Sequence, residues 1–245
     1  SPAMSLVKRC LPLLFQARPA LAFTAPFPFA RALCSPAAGA AFRLPCSSSR
    51  TRHISAEDLL PLEEYEKIRP QVIKHRTELR KVRRVKVGPF ASFTFESRDL
   101  MWIQIQEMIN IERGGEAQIQ DELTAYNPLI PQGNDIVATL MFEIDNREKR
   151  LEMLLKLGHV EETVYLLVGG EKVFAKSAAD DDVARTTPDG KTSAIHFLRF
   201  TLTPQQVALF KSRDTPVLVG MEHPNYLHMC GLPDAVRASI CTDLE

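Results

Sequence analysis

The chain has 245 residues, 45% hydrophobic and 24% charged, with 30 basic and 30 acidic side chains. That length supports one good-sized core or two small ones, and the absence of any net positive charge argues against nucleic acid as a main partner, because phosphate binding needs a basic face. The neutral total hides an asymmetry: residues 1–54 hold seven Lys or Arg and no Asp or Glu, which leaves 23 basic and 30 acidic residues, a net of −7, for 55–245.

The basic front end is rich in Ala, Pro, Ser, Arg and Phe, the composition of an organelle transit peptide rather than of a folded domain. Pro12, Pro19, Pro26 and Pro28 break its apolar runs. None approaches the roughly 20 residues of a membrane span, and a secretory signal would show one unbroken run. The expectation is a disordered transit peptide over 1–54, cleaved near 50–54, and a single domain over 55–245 in the mitochondrial matrix, with a plastid as the alternative. No transmembrane segment is expected. Cys10, Cys34 and Cys46 fall in the leader, so the body keeps only Cys230 and Cys241. Two cysteines make no disulfide framework.

In chain order, Ser55 with Asp58 three residues on resembles a capping box. Leu59, Leu62, Tyr65, Ile68, Val72, Ile73 and Leu79 then recur at helical spacing, with Pro70 expected to kink or split the helix. "VRRVKVG" and "FASFTFES" alternate around Gly88-Pro89 and predict a hairpin. "RDLMWIQIQEMINIER" and "EAQIQDELTAY" predict two helices with a tight corner at Gly114-Gly115. "DIVATLMFEI" is an apolar run of strand length, and "NREKRLEMLLKLG" a short helix. Two strand-like runs flank Gly169-Gly170, a hairpin signal. "AADDDVARTTPDGKTS" is a polar loop and "IHFLRFTL" a strand. Thr203-Pro204 opens a helix as cap and first-turn proline. "TPVLVGMEH" is a strand and "PDAVRASICTDL" a terminal helix. About six strands and six helices, with hairpins, predict an α+β fold: a mainly antiparallel sheet with helices packed mostly on one face.

Candidate chemistry centres on "MEHPNYLHMCGLPDAV" (221–236), with Glu222, His223, Tyr226, His228 and Cys230. Two His one turn apart on a helix are needed for the H-E-x-x-H zinc pattern. Here the spacing is five, and Pro224 interrupts. His223 is expected to end a strand and His228 to sit in a loop or short helical turn. The residues could converge as weak metal ligands (His223, His228, Cys230), or as a catalytic pocket in which His223 and His228 serve as acid or base with Tyr226 and Glu222 assisting and Glu107 as a further candidate. They could equally order a strand-to-helix corner. Glu107, Glu112, Glu116 and Glu122 lack the His of a di-iron pattern and are expected to face solvent. Gln104 and Gln106 beside Trp102 need partners if buried, which points to a subunit contact. "PDGKTS" (188–193) lacks the first glycine of a phosphate loop and reads as a turn. Asp180, Asp181 and Asp182 read as a solvated loop, and "RKVRRVKV" (80–87) as a charged strand edge or a dock for an anion. No cofactor motif is complete, so no cofactor is expected.

The blocks "MWIQIQEMINIERGGEAQIQDELTAYNPLIPQG", "DIVATLMFEID" and "HPNYLHM" closely resemble a proteobacterial family catalogued as a domain of unknown function, three-five-zero-one, over roughly His53 to Glu245. The resemblance implies no assigned activity. Genes of the family tend to adjoin those for a rubrerythrin-like protein and an iron–sulfur oxidoreductase subunit. It therefore implies an accessory subunit of such a redox system, not independently catalytic. The alternatives are an enzyme with a His/Tyr pocket at 222–230 acting on a small molecule, and a structural subunit of a respiratory-chain assembly.

Overall fold

A computed structural model describes residues 44, 53–178 and 185–245. The expected leader, Leu44, His53 and Ile54 apart, and the Asp180–Asp182 run lie outside the described residues. Leu44 itself is buried against the helical layer described below.

Among the described residues, six α-helices and nine strands follow in chain order: α1 (Leu62–Lys81), β1 (Arg84–Val87), β2 (Ala91–Phe95), α2 (Arg98–Glu112), α3 (Gly115–Tyr126), β3 (Asp135–Phe142), α4 (Arg147–Lys156), β4 (Val164–Val168), β5 (Glu171–Phe174), β6 (Lys176–Ser177), β7 (Ile195–Thr201), α5 (Pro204–Lys211), β8 (Val217–His223), β9 (Tyr226–Gly231) and α6 (Asp234–Cys241). The fold is α+β, and every strand pairing is antiparallel. The strands form two sheets rather than one, in the orders β1-β2-β3-β7-β6 and β5-β4-β8-β9. Ala175 separates β5 from β6, so one extended stretch leaves the second sheet and joins the first.

The reason for two sheets is written in β3. All eight of its residues are buried. Ile136, Ala138, Leu140 and Phe142 enter a core shared with Val164, Leu166, Val219 and Met221 of the second sheet. Val137 and Met141 enter a separate core with Tyr65, Trp102, Ile105 and Tyr126 of the helices. A strand covered on both faces reads as a continuous apolar run, because alternation survives only where one face meets water. The first sheet is thus a middle layer, with α1–α3 on one side and the second sheet on the other.

Several local signals behave as the sequence predicts. Thr203 and Gln206 exchange capping-box bonds of 3.0 and 3.2 Å at the start of α5. The α2–α3 corner is reached through Arg113 and Gly115, both at positive φ, where glycine costs least. The Ser55–Asp58 box is present, but it caps a short 3-10 turn at Ala56–Asp58. The long helix starts only after Pro61 and runs unbroken through Pro70.

The buried glutamines find partners within the chain, not on another subunit. Gln106 accepts from the Leu60 amide at 2.8 Å, and Gln104 donates to the Tyr126 hydroxyl at 3.3 Å. Within the basic run, Arg83 is buried and clamps the C-terminal helix. It donates to the Ser239 carbonyl at 2.7 Å, the Glu96 carbonyl at 3.0 Å and the Asp243 carboxylate at 2.7 Å. Arg84 pairs with Glu143. Arg83 is thus an internal fastener, while β1 is an edge strand with Lys86 exposed, the charged strand edge that the sequence predicts. Arg83→Leu removes a buried charged donor from two carbonyls and a carboxylate. It should lower unfolding free energy by about 3 kcal/mol in urea titrations.

Candidate functional site

The stretch at 221–231 is a hairpin, β8–β9, turning at Pro224-Asn225. His223 ends β8 as expected, but His228 lies in a strand, not in a loop or helical turn. Strand pairing places Met221, His223, Tyr226, His228 and Cys230 on the inward face and Glu222, Leu227 and Met229 on the outward face. Glu222 is therefore on the opposite side from the groups it was expected to assist.

Each inward group is engaged. The His223 Nδ1 accepts from the Asn225 amide at 3.2 Å, which leaves Nε2 to donate to the Gly158 carbonyl at 3.2 Å. The Asn225 side chain donates to the Lys156 carbonyl at 2.8 Å. Together they satisfy carbonyls left open at the end of α4. The Tyr226 hydroxyl accepts from the amides of Phe90 and Ala91, each at 3.0 Å, and donates to the Val87 carbonyl at 2.8 Å. It fixes the β1–β2 turn, and burial pushes its acidity down, raising the pKa. His228 is exposed and lies edge-on to Tyr226, centroids 4.6 Å apart. Gly88 beneath them has φ +69°, and a Cβ there would stand 2.6 Å from the His228 ring. Cys230 is half-buried, its thiol 3.3 Å from the Gly231 carbonyl.

Glu107 is in another layer. It is buried at the α1–α2 contact, 1% exposed, so the solvent-facing expectation fails for it and for the fully buried Glu122, while Glu112 and Glu116 are exposed. Helical spacing alone cannot tell which face of α2 is covered, because α2 is apolar nearly all round. Arg69 donates to both Glu107 oxygens at 2.8 and 3.0 Å, and the Tyr65 hydroxyl donates at 2.8 Å. Burial pushes the Glu107 pKa up, but these donors overcome it and hold the carboxyl below its ordinary range. The structure therefore brings His223, Tyr226 and His228 onto one face and keeps Glu107 apart from them. Among the described residues, no three His, Cys, Asp or Glu side chains come together to hold a metal ion.

A different cleft, of about 580 Å³, lies at the β6–β7 edge of the first sheet. Glu161, Glu162, Lys176, Arg185 and His196 are among its lining residues. His196 is 1% exposed and its ring stands edge-on to Phe142. The sequence signal was present: one histidine inside the apolar strand run "IHFLRF".

Residues 53–244 match the family described as Protein of unknown function (DUF3501). The chain belongs to this family. This DUF3501 protein is also similar to a crystal structure of a novel protein of unknown function from Burkholderia pseudomallei K96243. The two share 36% sequence identity and a TM-score of 0.71, over 78% of this chain and 99% of that one. No curated protein matches.

Two substitutions separate fastening from chemistry. Tyr226→Phe removes one acceptor and one donor from buried backbone groups and should cost about 2–3 kcal/mol of stability by urea denaturation. For Glu107, a folded pKa below the unfolded value of about 4.3 means its contribution is complete above that value and lost as pH falls through the folded one. Glu107→Gln should lower stability at pH 7 by about 2–3 kcal/mol and flatten the loss seen below about pH 4.

Proposed function

We propose that this protein is an accessory subunit, not independently catalytic, of an iron–sulfur and rubrerythrin-like redox system in the mitochondrial matrix, and that it docks its partner through the outer face of the second sheet. The observation that supports this is the exposure of large apolar side chains on that face. Leu227 is 70% exposed, Met229 60% and Phe174 46%. Strand register sets Phe174, Tyr165, Gly220 and Met229 in one row across all four strands. Gly220 lets the Tyr165 ring lie flat across the sheet, since a Cβ there would meet the hydroxyl at 2.8 Å. The Lys172 amine sits over that ring at 4.7 Å and pairs with Glu222. Large apolar side chains gathered on one face and bordered by charge have the composition of a protein interface.

The redox identity of the partner rests on the family resemblance. Against an independent enzyme, His223 and Tyr226 spend their polar atoms on backbone groups. A structural subunit of a respiratory-chain assembly would use the same face, and the identity of the captured partner separates the two.

The double variant Leu227→Glu, Met229→Glu should fold with an unchanged circular dichroism spectrum. It should lose at least roughly 30-fold in affinity for the iron–sulfur oxidoreductase subunit or rubrerythrin-like protein captured from mitochondria by the parent chain, as expected when central interface residues are charged. Capture of either partner at undiminished affinity would overturn the docking face. Capture of respiratory-chain subunits alone would favour the structural role.

A further inference from the structure

The chain just upstream of α1 is held down by side chains rather than by strand pairing. Asn127, just past α3, grips Ile54 at both backbone groups, accepting from its amide at 2.8 Å and donating to its carbonyl at 2.9 Å. The Trp102 indole donates to the Asp58 carbonyl at 2.8 Å. Gln106 accepts from the Leu60 amide at 2.8 Å and donates to its carbonyl at 3.4 Å. Arg98 pairs with the Asp58 carboxylate at 3.2 Å. A side-chain amide carries both a donor and an acceptor, so it can stand in for a strand partner at one residue. Residues 54–60 are thus a strap fastened to α2 and to the end of α3.

The apolar contacts reach further back along the chain. Ile54 is 2% exposed, and Leu44, 3% exposed, belongs to the same buried cluster as Tyr65, Val72, Trp102 and Ile105. The family match begins at residue 53, so Leu44 is a core residue supplied from outside the matched domain. Its position conflicts with a cut near 50–54. Any cut between residues 44 and 54 severs Leu44 from the chain whose core it fills, and losing a buried leucine costs both its transfer from water and the cavity left behind. A cut just before Ile54 would also turn its buried amide into an ammonium, a charge that burial disfavours. We propose that Leu44 is a plug for the helical layer, and that the processing peptidase which removes the leader hydrolyses a peptide bond upstream of it. Residues from Leu44 onward then stay with the mature chain. Removal of a leader rests on the matrix location in the proposed function; the plug does not.

The test is mass spectrometry of the N-terminus of the protein recovered from mitochondria of cells that express the full chain, paired with urea unfolding of the full chain and its variants. The recovered chain should begin at or upstream of residue 44. Leu44→Ala should raise the unfolding equilibrium constant roughly 30-fold or more. Leu151→Ala, at a leucine 49% exposed, should change it less than about threefold. A recovered chain that begins between residues 45 and 54 overturns the proposal, and so does a Leu44→Ala chain as stable as the parent. A full-length chain found outside mitochondria would refute the matrix location, and with it the cut; the urea result then decides the plug by itself.

Discussion

The double burial of β3 is the constraint from which the rest of the structure follows. A strand with no face to water must be covered twice. The chain covers one side with α1–α3 and the other with the β5-β4-β8-β9 sheet. That leaves the second sheet as an outer layer, with an inward face committed to the core and an outward face that no element of the described chain covers at Leu227, Met229 and Phe174. The exposed row and the fastening role of the "HPNYLH" hairpin are two sides of the same sheet. Its inward residues lock it to β1, β2 and α4, and its outward residues remain for a partner.

The polar groups inside the molecule serve mainly to join its layers. Arg83 ties β1 to the C-terminal helix. Tyr226 ties the second sheet to the β1–β2 turn, and His223 with Asn225 ties it to the end of α4. Arg69, Tyr65 and Glu107 join α1 to α2. In each case a long side chain satisfies groups that burial would otherwise leave unpaired, which is costlier than leaving them in water.

Local signals in the sequence were legible wherever the physics is local. Thr203-Pro204, the Gly169-Gly170 turn and the glycine corner after α2 each encode a backbone requirement at the residue itself. The α+β class followed from them. What the sequence concealed was non-local. "DIVATLMFEI" reads as one buried strand, but not as the boundary between two cores. The spacing of His223, Tyr226 and His228 is compatible with a loop cluster, and only the register with β8 shows that they line one face of a hairpin. Glu107 looks like one of four surface acids until α1 brings Arg69 and Tyr65 to it from 38 and 42 residues away.

The central claim is that the outer face of the second sheet is where a redox partner sits. Lys172 stands on that face, while Lys67 and Lys74 stand on α1, in the outer helical layer of the molecule. Amine cross-linking in intact mitochondria followed by peptide mass spectrometry reads the two layers separately. Cross-links from Lys172 to an iron–sulfur or rubrerythrin-like protein are the predicted result. Cross-links to such proteins only from Lys67 or Lys74, with Lys172 modified but unlinked, would contradict it.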